Sequence, residues 1–159
     1  MCDLRSILLA VSLLVAAGCS LEISADRPVD SSHAAEGEHE ELAPYMGLMQ
    51  RYSQKLGYAI RAGNGELAGF YVHELEETAE SLIDEVPVHD GLPIARTTET
   101  MLMPKLERME RALAGDDRQE TAAAYEAVIG GCNACHTATE HDFIVIEPAR
   151  GEPPFNQRF

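Results

Sequence analysis

Between residues 40 and 136, apolar positions recur at steps of three and four, the spacing that gathers side chains on one face of an α-helix. From Glu40 to Ala62 the stripe is carried by Leu42, Tyr45, Met46, Met49, Tyr52, Leu56, Ala59 and Ile60. Gly63-Asn64-Gly65 interrupts it with turn chemistry. A second stripe between Glu66 and Glu85 uses Leu67, Phe70, Tyr71, Glu74, Leu75, Thr78, Leu82 and Ile83, and predicts a second helix. The segment 86–93, VPVHDGLP, reads as a loop. A third helix is expected from Thr97 to Ala114, with Leu102, Leu106, Met109 and Leu113 inward. Pro104 sits inside that pattern, so the helix either starts there at its first turn or is kinked. Gly115-Asp116-Asp117 ends it and caps a fourth, which carries Ala123, Ala124, Ala127, Val128 and Ile129. No strand pattern competes. Four helices with short loops predict an all-α protein, an antiparallel up-down-up-down four-helix bundle.

The first 18 residues, MCDLRSILLAVSLLVAAG, follow a different logic. Arg5 gives a basic start and Ile7 to Val15 an apolar run of signal-peptide length, too short for a spanning helix of about 20 residues. Ala16-Ala17-Gly18 then lead directly into Cys19. This resembles the lipobox of bacterial lipoproteins, although a Leu is more usual where Ala16 stands. The resemblance implies cleavage before Cys19 and its lipidation, hence membrane attachment through a lipid anchor; an ordinary cleaved signal is the alternative. More than one acyl chain is needed for stable anchoring, which a lipoprotein's diacylglycerol and N-acyl chains supply. Ser20, where an inner-membrane retention signal prefers Asp, favours the periplasmic face of the outer membrane. Residues 19–40 are polar and acidic without hydrophobic periodicity, and read as a flexible tether holding two solvated histidines, His33 and His39.

The domains are therefore the signal peptide (1–18), the tether (19–40), a helical domain (41–136) and a tail (137–159). The chain has 27 Asp and Glu against 12 Lys and Arg, a net charge of −15. Phosphate binding depends on Lys and Arg, so nucleic acid is excluded as a natural partner. The acidity suits steering of a basic or metal-centred redox partner, or serves solubility alone.

With Cys2 lost and Cys19 lipidated, two cysteines remain, in the run Cys132-Asn133-Ala134-Cys135-His136. A disulfide across so short a loop would stabilise little. On a helix, thiols three apart share a face and can both bond the vinyl groups of one haem, while the following imidazole reaches the iron. A redox dithiol is the main rival, but it belongs with a βαβ context. A zinc site would need a further donor, for which only His141 offers itself.

One such motif on the last helix of a four-helix bundle resembles the class II c-type cytochromes, cytochrome c-prime and its low-spin relatives. The likeness spans roughly residues 41–140 and rests on architecture outside the pentapeptide. It implies one covalent haem c per chain, held by thioethers at Cys132 and Cys135, with His136 as proximal iron ligand. Low-spin members add a methionine from early in the first helix, whereas cytochrome c-prime leaves that position open. An up-down bundle puts the haem against the first turns of helix one, where Met46 and Met49 are the candidate distal ligands. His73 and His89 are the remaining alternatives; His141 is expected at the surface. Two departures are the apparently short third and fourth helices and the 23 residues after His136. The apolar stretch Phe143 to Ile146 is expected to pack over the haem edge or the bundle.

The function expected is periplasmic electron transfer with redox partner proteins. Binding of nitric oxide or carbon monoxide at an open iron is the alternative. No carboxylate pattern suggests acid–base catalysis, and no distal His/Arg pair suggests peroxide chemistry, so no enzyme is expected. Whether two copies pair as a homodimer through helices one and two is left open.

Overall fold

The computed structural model describes residues 42–115 and 117–159, so the expected signal peptide, Cys19 and the expected tether lie outside the described residues. The described chain is all-helical: α1 (Leu42–Ala62), α2 (Gly65–Glu85), α3 (Ile94–Met101), α4 (Met103–Leu113) and α5 (Arg118–Ala138). No strand occurs among the described residues.

Local chemistry sets each boundary. Gly63 takes a φ of 71°, which an L side chain rarely adopts, and reverses the chain after α1. Asn64 then caps α2 by accepting the Leu67 N–H at 3.1 Å. Between α2 and α3, Asp90 (φ 52°) and Gly91 (φ 79°) form a tight turn closed by the paired backbones of His89 and Leu92. Asp117 caps α5 by accepting from Gln119 and Glu120 N–H.

The third helix expected from the pattern is two helices. It begins at Ile94, three residues earlier than Thr97, and breaks at Leu102, with Pro104 in the first turn of α4. Proline has no N–H to give and its ring crowds the preceding turn, so α3 cannot continue through it. The fourth helix is not short: α5 has 21 residues and runs two beyond His136.

The elements form a helical bundle in which α1 packs on α2, α2 on α3 and α4, and α5 on α1, α3 and α4. Leu56, Leu75, Leu82, Leu106 and Val128 are fully buried at its centre, each stabilising the fold by about 1.5–3 kcal/mol. Phe70 and Ala123, both on the expected inner stripes, are exposed instead. Gly131 lets α5 approach the α3–α4 break: a Cβ there would sit 3.0 Å from the Met101 carbonyl.

The tail beyond α5 is irregular and lies against the helices. Glu140, at φ 60°, turns the chain back. Tyr58 Oη donates to Arg150 O at 2.8 Å, Tyr71 Oη to Gln157 Oε1 at 2.6 Å, and Ala149 N–H to Tyr125 Oη at 3.0 Å. Phe155 and Phe159 pack around the Tyr58 ring. Gly57 makes room for this seam, since a Cβ there would lie 2.3 Å from the Tyr125 hydroxyl. Among the described residues, no helix is long and apolar enough to cross a membrane.

Candidate functional site

A cavity of about 500 Å³ opens where the first turns of α1 meet the last turns of α5. Cys132, Cys135 and His136 enter it from α5; Leu42, Met46 and Met49 enter from α1. The stripe Ile94, Thr98 and Leu102 of α3 forms another wall, and Ile144 and Ile146 of the tail a further one. This volume lies within the range of about 300–1,000 Å³ usual for small-molecule and cofactor pockets, and the mainly apolar lining is of the usual kind.

Both cysteines are free thiols. Burial pushes the Cys132 thiol up to about 11, and neighbouring Cys135 adds to the effect. Burial also raises Cys135, opposed by a hydrogen bond from Thr98. Redox dithiols work the other way, with an electropositive setting that lowers the thiol pKa. Among the described residues, no three His, Cys, Asp or Glu side chains converge as a metal-binding cluster. The zinc alternative therefore gains no donor set from His141.

His136 is held by its inner nitrogen. Nδ1 lies 2.9 Å from the Ile144 carbonyl, which can only accept, so Nδ1 is the donor; in the neutral imidazole this leaves the lone pair on Nε2. Histidines that bind metals through one nitrogen commonly donate the other to a carbonyl in this way. The residues present therefore fit a covalent haem: two thiols and an available imidazole nitrogen on one apolar wall, with thioethers on another.

The remaining candidates separate. Met46 is half-buried on the cavity wall, while Met49 is 7% exposed and belongs to the core as well. His89 lines the cavity from the turn after α2. His73 does not; it is exposed on α2, 3.4 Å from Glu77 one turn on. His141, expected at the surface, is half-buried and lines the cavity, because the turn at Glu140 brings the tail back across the end of α5. Thr98 was not singled out by the sequence, although the four-residue spacing Ile94–Thr98–Leu102–Leu106 carried the signal. Comparisons with protein-family models, with curated proteins and with solved structures find no match to this chain.

Proposed function

We propose that this chain is a monohaem c-type cytochrome of the class II kind, carrying electrons on the periplasmic face of a bacterial membrane to which Cys19 anchors it. The observation that carries the reading is the convergence of Cys132, Cys135 and His136 on one cavity, with the His136 Nδ1–H donated to Ile144. Cys132 and Cys135 hold the haem as thioethers, and His136 offers Nε2 to its iron. Met46 offers a thioether from α1, the pairing with histidine that raises a cytochrome's potential. When bound, the haem supplies an iron that takes up and returns one electron. Leu42, Ile94 and Ile146 keep water from the cavity walls, and the net charge of −15 draws in a basic redox partner.

The helices run up, down, up and down in this reading, with α3 and α4 together forming the third arm. Two features support it. Across the two-residue link Gly63-Asn64, α2 packs back on α1, and Tyr45, in the first turn of α1, hydrogen-bonds Glu85, the last residue of α2.

Covalent attachment is the test. Protein matured in a host that attaches haem is expected to show a haem-stained band after denaturing electrophoresis, and Cys132→Ala with Cys135→Ala to lose it. An unmodified protein without that band overturns the reading.

A further inference from the structure

We propose that Asn133, between the two cysteines, is a positioning residue: it clamps the C-terminal tail so that the Ile144 carbonyl holds the His136 imidazole and sets the potential of the site. The inference rests on the haem reading and extends it to the way the ligand is held. Asn133 Nδ2 donates to Ile146 O at 2.9 Å, and Ile146 N–H donates to Asn133 Oδ1 at 2.8 Å. One side-chain amide thus satisfies both backbone groups of residue 146. Two residues earlier, Ile144 O accepts from His136 Nδ1 at 2.9 Å. Asn133 and His136 stand three apart on α5 and so share a face, which lets one helix turn grip one short stretch of tail at two points.

Side-chain burial holds this stretch only at Ile146, which is half-buried against the core. Phe143 and Val145 are 77% and 67% exposed, and Ile144 is 42% exposed. Beside it, the Asn133 pair joins two directed hydrogen bonds in a part-buried setting. Without that pair, residue 146 keeps only the packing of its side chain against the core, and the Ile144 carbonyl two residues earlier is less firmly placed. The consequence is electronic. A carbonyl accepting from Nδ1–H makes the imidazole a stronger base at Nε2, and a more basic ligand favours the ferric over the ferrous state. The tail is then part of the site, though none of its side chains need touch the metal.

The experiment compares the haem-loaded full chain with Asn133→Ala, by redox titration and by amide hydrogen exchange. Asn133→Ala is expected to keep its haem-stained band and to exchange the Ile146 amide faster. It is expected to favour the ferrous form by about tenfold, equal to a midpoint potential about 59 mV more positive. An unshifted potential overturns the clamp, even where the tail has loosened. If the parent protein stains for haem and only the shift is missing, the cytochrome reading stands and the clamp alone falls; a parent without haem sinks both. A second measurement needs no variant. In the unmodified haem-loaded protein the His136 Nδ1–H proton is expected to exchange slowly with solvent, and exchange as fast as that of a solvated imidazole overturns the proposal.

Discussion

At the scale of single residues, the same side-chain type meets two settings one turn apart. Met46 and Met49 both reach the cavity from α1, yet Met49 is packed into the core and Met46 is only half-covered. A buried methionine usually fills space. Haem-loaded Met49→Ala is therefore expected to lose stability, by about 2–5 kcal/mol in denaturant unfolding, with its visible spectrum unchanged. Met46→Ala is expected to turn a low-spin ferric spectrum high-spin and to let carbon monoxide bind the ferrous form quickly. A parent protein that is already high-spin, and takes up carbon monoxide unaided, would favour gas binding over electron transfer. That Cys132, Cys135 and His136 line one cavity was legible because they stand within five residues on one helix. Asn133 was not, because its partner lies 13 residues away, across a turn that no Gly or Asn announces. Glu140 in a left-handed conformation ends the helix where the residue type gives no warning.

At the scale of elements, helices were read well where caps and periodicity agreed, as at Asn64 and Asp117. The break at Leu102 was half-read, because Pro104 is compatible with a start or a kink, and only the packing against Gly131 shows which surface the two pieces share. The α2–α4 contact adds an electrostatic conflict that the periodicity could not show. Glu76 on α2 is raised above the usual glutamate range, first by burial and then by Glu110 on α4. The sign follows from the direction. A carboxyl raised by folding binds its proton more tightly when folded, so stability falls as pH rises from the ordinary glutamate value, about 4.3, through the raised one. Glu76→Gln is expected to unfold at a higher temperature than the parent at pH 7. Below about pH 4, where both states of the parent are protonated, the advantage should vanish. Thermal melts at the two pH values test this, and an equal gain at both would assign the effect to packing instead.

At the scale of the whole molecule, composition changes along the chain. The periodic apolar stripes of the sequence lie beyond residue 41, and residues 19–40 are polar and acidic without such a period. The irregular tail was the least legible region, since much of its hold on the bundle comes from scattered polar groups, Asn133 and the hydroxyls of Tyr58, Tyr71 and Tyr125, which carry no period. If the folded part carries electrons, its attachment governs which partners it meets. The described helices offer no segment able to cross a membrane, and the net charge of −15 opposes adsorption to anionic lipid. The proposed attachment is through Cys19. Cys19→Ala, expressed with the native leader, is expected to move the protein from the membrane fraction to the soluble periplasmic fraction with its haem content intact. The acidic charge makes the assay clean, because a high-salt wash should change nothing if lipid is the anchor, whereas electrostatic binding would release in salt. Retention of the variant in washed membranes would mean that something other than lipid at Cys19 holds the protein there.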